Sequence, residues 1–233
     1  NFRVVPSDKT YNTNFGDPQL AAAEVRRNAA RGCHVVSFPD QPEKLGLPSI
    51  HTGYWDPMFT ACNETGTTVC MHVGSSSSDP FSSRDAPPGV GSMVAFNNSM
   101  ASLGDYLFGG IMHRFPKLKI AYSEGQIGWV PYILERADDV WHEHRAWAGV
   151  KDIVPEPPST YYYRQIYTCF FRDRHGIDSL DKVGVDNVTF ETDKYDSASQ
   201  SGQRYVRVCM AVPTSGMSIS FRGGKVRRRN PDA

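Results

Sequence analysis

Thr68-Val69-Cys70-Met71-His72-Val73 is a run of apolar and β-branched side chains closed by Gly74, and it follows a helical stretch, Trp55 to Thr65, that stops at Gly66. A run this short and apolar reads as a strand covered on both faces, reached through the helix before it. The fold follows from how often that unit recurs. Upstream, Asp17-Pro18 opens a helix, with Asp17 as cap and Pro18 in the first turn, that ends at Gly32. Cys33-His34-Val35-Val36-Ser37-Phe38 then reads as a short buried strand, and Pro39 to Thr52 as a long loop.

Downstream the alternation continues. Gly74 to Gly91 is a Ser/Pro/Gly-rich loop, longer than a compact domain keeps without a use for it. Met93 to Arg114 is predicted helical, Lys119-Ile120-Ala121-Tyr122 a strand, and Gly128 to Trp147 a helix. In that last helix Val130, Ile133, Leu134, Ala137, Val140 and Trp141 form a core-facing stripe. Ile166 to Phe170 is a further strand, Asp178 to Val183 a short helix, and Val188-Thr189-Phe190-Glu191 the last strand. Helix and strand in turn argue for an α/β fold with parallel strands. Five strands satisfy either a doubly wound sheet or part of a barrel. No glycine-rich phosphate loop follows a strand, which counts against a dinucleotide-binding sheet.

The bulk numbers fit one sizeable domain. At 233 residues the chain is close to the size of a single α/β barrel, and 39% hydrophobic with 21% charged residues is ordinary for a folded protein. A formal net charge of zero gives no case for nucleic acid or an anionic membrane surface as partner. No apolar run is long enough for a transmembrane helix, and Asn1 to Lys9 lacks the layout of a secretory leader. The five cysteines, Cys33, Cys62, Cys70, Cys169 and Cys209, contain no CxxC pair, so reduced thiols in a cytoplasmic protein are expected. A homodimer stays open.

Charge divides the chain. Lys194 to Ala233 carries eight basic residues and two acids, a net of +6, and loses apolar periodicity, so residues 1–193 are expected to form the domain and 194–233 a basic, poorly packed tail.

In a parallel α/β protein the working groups lie at the carboxyl ends of strands. Three ends carry candidates: His72, Glu124 after Tyr122-Ser123, and Glu191 with Asp193. One imidazole and several carboxylates converging on one mouth would suit a divalent metal and a general acid or base. Each also has a plain reading. His72 would serve as a hydrogen-bonded core histidine, Glu124 as a helix-terminus acid and Asp193 as a turn residue. His142 and His144 read as a solvated helix end. His51 and Trp55, flanking the start of a helix after a long loop, are candidate substrate contacts.

The run His113-Arg114-Phe115-Pro116-Lys117-Leu118-Lys119-Ile120-Ala121-Tyr122-Ser123-Glu124-Gly125 resembles a helix–strand segment of the amidohydrolase-related family that includes aminocarboxymuconate-semialdehyde decarboxylase. Cys70-Met71-His72-Val73-Gly74-Ser75-Ser76 resembles its metal-ligand strand, and Val188-Thr189-Phe190-Glu191-Thr192-Asp193 the strand ending in its metal-binding aspartate. The three segments stand in the family's order. The resemblance implies a (β/α)8 TIM-type barrel, incomplete in this chain. It further implies a metal-dependent hydrolase or decarboxylase-like lyase acting on a small carboxylated or aromatic compound. His72 and Asp193 would be ligands of a divalent metal, zinc foremost and manganese as the alternative, and Asp193 would also handle a proton. Glu124 stands where the family has its catalytic histidine and would be the proton handler. The family's first-strand His-x-His or Asp-x-His pair has no counterpart upstream of His72. A missing amino end, and a carboxyl end that diverges after Asp193, are therefore expected, with a non-catalytic barrel fragment as the rival reading.

Overall fold

The computed structural model describes residues 16–77, 80 and 83–191, together with the backbone of three short strands at 208–209, 219–222 and 225–228. Helix α1 (Pro18–Ala29) is followed by β1 (Val35–Ser37), α2 (Asp56–Thr65) and β2 (Thr68–His72). Then come α3 (Pro88–Val94), α4 (Asn97–Phe108), α5 (Ile111–Arg114) and β3 (Lys119–Ser123). The chain continues through α6 (Val130–Glu143), α7 (Pro158–Gln165), β4 (Ile166–Phe170), α8 (Arg174–Asp178), α9 (Leu180–Val183) and β5 (Val188–Glu191). Beyond it lie β6 (Val208–Cys209), which pairs antiparallel with β5, and a separate hairpin of β7 (Ile219–Arg222) and β8 (Lys225–Arg228).

Strands β1 to β5 are all parallel and lie side by side in chain order. That order separates the two architectures left open by the sequence. Crossovers between parallel strands are right-handed, so strands added always in one direction place every helix on the same side; a doubly wound sheet reverses direction and uses both sides. Here the direction never reverses. The five strands are an arc of a (β/α)8-type barrel.

Local chemistry sets the helix starts. α1, α2, α3, α6 and α7 each carry proline in the first or second position, where its missing N–H costs nothing. Asp17 caps α1 through Gln19 N and Leu20 N, as the sequence predicts. The segment predicted as one helix from Met93 to Arg114 is three. Gly110 at φ +70° takes the left-handed turn that separates α4 from α5, a conformation L side chains resist. α7 went unpredicted. Its three tyrosines divide, with Tyr161 and Tyr162 buried and Tyr163 half-exposed.

Alternation along the strands sorts the faces. Val69, Met71, Ile120 and Tyr122 are buried under the helices with Leu103, Tyr106, Leu134 and Tyr162. Full burial of each aliphatic side chain contributes about 1.5–3 kcal/mol. The other face carries Cys70, His72, Ala121 and Ser123, half-buried or exposed. β1 departs from expectation. Its residues are half-buried to exposed, because this strand has a neighbour on one side only.

Candidate active site

The parallel register sets His72 beside Ser123, so β2 and β3 end level with one another. His72 Nε2 lies 3.2 Å from Glu124 Oε2. The other ring nitrogen, Nδ1, is 2.7 Å from the Val73 carbonyl oxygen, the contact expected when Nδ1 carries the proton. Ser123 Oγ donates to Glu191 Oε1 at 2.6 Å across the inner face. Glu191 is 2% exposed, and its Oε2 has no hydrogen-bond partner among the described residues.

The charges act on one another. The Glu124 carboxylate raises the His72 pKa, against the opposing effect of burial. Burial raises the Glu191 pKa, and the nearby Glu124 charge adds to it, while the Ser123 hydroxyl works the other way. Burial pushes the Cys70 thiol up to about 11 and the Cys169 thiol up to about 12, with the Glu191 charge assisting in both.

Two loops hold these groups. After β2, Val73 N donates to the Ser123 carbonyl at 3.2 Å, and Ser75 and Ser76 donate to the buried Asp40 carboxylate beyond β1. Asp40 N and Gln41 N return hydrogen bonds to the same two hydroxyls, at 2.9 and 2.7 Å. After β3, Glu124 and Gln126 both adopt left-handed backbone, at φ +56° and +59°. Trp129 Nε1 donates to the Gly125 carbonyl at 2.8 Å. Ile127 N and Gly128 N both donate to Asp173 Oδ2, at 2.8 and 2.6 Å.

Of the sequence-predicted site residues, the structure brings His72 and Glu124 together and leaves two elsewhere. Asp193 lies outside the described residues. Trp55 is fully buried, its indole N–H on the Pro48 carbonyl at 2.7 Å and its ring edge-on to Phe38, so it serves the core. His51 pairs with Asp105 late in α4 at 3.0 Å and not with the strand tips. His142 sits on an exposed helix end beside Glu143. Sequence reasoning gave no role to Ser123, Asp173 or Asp40. Period-two alternation could have flagged Ser123 with His72, since both fall on the less apolar face of their strands. Asp173 is locally legible only as the cap of α8; its contacts with Ile127 and Gly128, like those of Asp40 with Ser75 and Ser76, join distant segments and leave no local signal.

The donor set can be tested against a divalent metal. An imidazole nitrogen and a carboxylate oxygen facing one another, with a buried carboxylate nearby, are donor types that zinc or manganese accepts. They fit as part of such a site. No group of three or more His, Cys, Asp or Glu suited to a metal forms among the described residues.

Residues 12–215 match the family model for amidohydrolases. The chain belongs to the amidohydrolase family. No curated protein sequence matches this amidohydrolase chain. Among solved structures it is similar to 5-carboxyvanillate decarboxylase from Sphingomonas paucimobilis, with a TM-score of 0.61 and 20% identity over 75% of this chain and 52% of that one. It is also similar to an amidohydrolase from Mycobacterium avium subsp. paratuberculosis, with a TM-score of 0.58 and 18% identity over 76% and 45% of the two chains. A third, 2,6-dihydroxybenzoate decarboxylase from Rhizobium, gives 0.55 and 17% over 76% and 56%. This amidohydrolase chain thus spans about half the length of the solved structures it resembles. At such identities the likeness carries the fold, which agrees with the barrel arc read from strand order. No helix among the described residues is long and apolar enough to cross a membrane.

Proposed function

We propose that this chain carries part of a metal-dependent hydrolase or decarboxylase acting on a small carboxylated or aromatic compound. The observation that supports it is the facing pair at adjoining strand tips, His72 Nε2 and Glu124 Oε2 at 3.2 Å, with the buried Glu191 alongside. His72, Glu124 and Asp193 would hold the ion. Zinc and manganese both suit one imidazole and two carboxylates, and a dihydroxybenzoic acid decarboxylase with a related fold has been solved with bound manganese. The ion would supply Lewis-acid polarisation of a substrate oxygen. His72 keeps Nε2 directed at the site through its Val73 contact. Glu124 would handle the proton, with Asp193 able to do so as well. Four cysteines are free among the described residues, which supports a reducing, cytoplasmic setting.

A second reading, a barrel fragment without turnover, is favoured by one observation: no group of three ligands forms among the described residues. Titration of the full chain with MnCl2 and with ZnCl2, followed by dialysis against a mild chelator, tests the site. The proposal expects weak binding, lost on dialysis and abolished in His72→Ala. Undiminished binding by His72→Ala, or none by the unsubstituted chain, would sink it. Decarboxylation of 2,6-dihydroxybenzoate or a related hydroxybenzoate by the loaded chain would exclude the fragment reading; metal binding with no turnover across such a panel would favour it.

A further inference from the structure

We propose that Asp173 is the positioning residue of this site, holding the β3–α6 loop so that Glu124 faces His72. The inference rests on the reading of His72 and Glu124 as the ion-holding pair. Glu124 and Gln126 are non-glycine residues in left-handed backbone within three positions of each other. Such conformations are disfavoured locally for residues with a Cβ and persist only where surrounding contacts over-determine them. The chain from Glu124 to Gly128 therefore needs a tether outside itself.

Asp173 supplies such a tether, alongside the Trp129 indole on the Gly125 carbonyl and the Cys169 thiol on the Glu124 backbone, and its chemistry explains why a carboxylate stands there. It lies just beyond β4, the strand beside β3. Its Oδ2 accepts from two successive loop amides, Ile127 N at 2.8 Å and Gly128 N at 2.6 Å. Its Oδ1 accepts from Gly176 N at 2.8 Å, which caps α8 and fixes the carboxylate. An ordinary helix cap needs only that last bond. The two extra bonds reach 45 and 46 residues back along the chain, to the loop that carries Glu124. Contact is close on both sides. A Cβ on Gly128 would lie 2.8 Å from Asp173 Oδ1, and one on Gly176 would lie 2.2 Å from an Ile127 side-chain carbon. Asparagine cannot replace the carboxylate, because it has one acceptor oxygen for two groups of donors and turns its NH2 on the other.

Two variants approach the contact from opposite sides, Asp173→Asn and Gly128→Ala, each made alone and in a Glu124→Gln background. Mn2+ affinity is read by water-proton relaxation. The nuclear Overhauser contact between the His72 ring and the Glu124 side chain is read without metal. We expect each variant to weaken Mn2+ binding about tenfold in the parent chain, the scale of a lost charge-assisted hydrogen bond, and less than twofold when Glu124 is already Gln. The His72–Glu124 contact should fade in both. Equal losses in the two backgrounds would show a general structural effect and overturn the assignment, as would no loss in the parent. If the parent chain binds no Mn2+, the ion site fails, and the Overhauser contact alone decides: its loss in the variants upholds the positioning role, and its persistence refutes it. Should Asp173→Asn not fold, Gly128→Ala carries the same comparison.

Discussion

Asn187 offers a direct test of how the arc is held at the β5 end. It is 6% exposed, and its side-chain Nδ2 lies 3.2, 3.0 and 2.9 Å from the carbonyl oxygens of Tyr162, Tyr163 and Ile166. One amide thus ties the end of α7 and the start of β4 to the turn that launches β5. Replacing Asn187 with Ala removes two N–H donors, worth about 1 kcal/mol each net, and leaves buried carbonyls unpaired at about 1 kcal/mol more. A loss of about 3 kcal/mol follows. With a urea slope of about 2 kcal/mol/M the midpoint should fall by about 1.5 M, and the melting temperature by roughly 6–12 °C. Urea unfolding followed by tryptophan fluorescence measures both midpoint and slope. Asn187→Asp separates hydrogen bonding from packing. It keeps the shape but turns an acceptor on three carbonyls, so it should be at least as destabilising as Ala. A midpoint shift below about 0.3 M for Ala, or near-native stability for Asp, would refute the argument.

The His72–Glu124 pair should appear in the pH dependence of the metal-free chain. Glu124 raises the folded-state pKa of His72, so the pair contributes stability below the ordinary histidine value of roughly 6.5, and that contribution fades as pH rises through the raised value. Glu124→Gln should accordingly lower the urea midpoint at pH 5.5 and leave it nearly unchanged at pH 9; an equal effect at both would rule out the ion pair as cause. The thiols make an independent check on burial. Cys62 and Cys169 are buried and pushed up to about 12, whereas Cys33 is exposed, so iodoacetamide at pH 8 should label Cys33 before Cys62 and Cys169 and spare those two until the protein unfolds. Mass spectrometry of the modified peptides reads the order.

Each parallel strand was legible because its signal is local. Runs such as Thr68–His72 and Val188–Glu191 are apolar and β-branched and bounded by glycine or a turn; the composition predicts cover on both faces, which β4 comes near, whereas β2 and β3 are buried on one face only. β1 has the same composition, yet burial depends on a neighbour that no local run encodes. Helix starts were legible for a similar reason, since Asp17-Pro18 fixes cap and φ within two residues. The break between α4 and α5 was not, because a glycine pair is tolerated within a helix unless packing selects the left-handed turn at Gly110.

What the sequence by itself determined is the supply of chemistry: one imidazole and several carboxylates at the ends of strands, in an order resembling the amidohydrolase family. Only the tertiary structure decided which of them meet. Strand order made the sheet an arc of a barrel, and the parallel register set His72 level with Ser123, next to which Glu124 reaches the imidazole. The same packing took Trp55 into the core and joined His51 to Asp105. The physical reason is the range of the forces involved. Propensity, capping and alternation act over a few residues and can be read along the chain. A contact such as Asp173 with Ile127 and Gly128 joins segments 45 and 46 residues apart, and it exists only once the strands between them have fixed the distance.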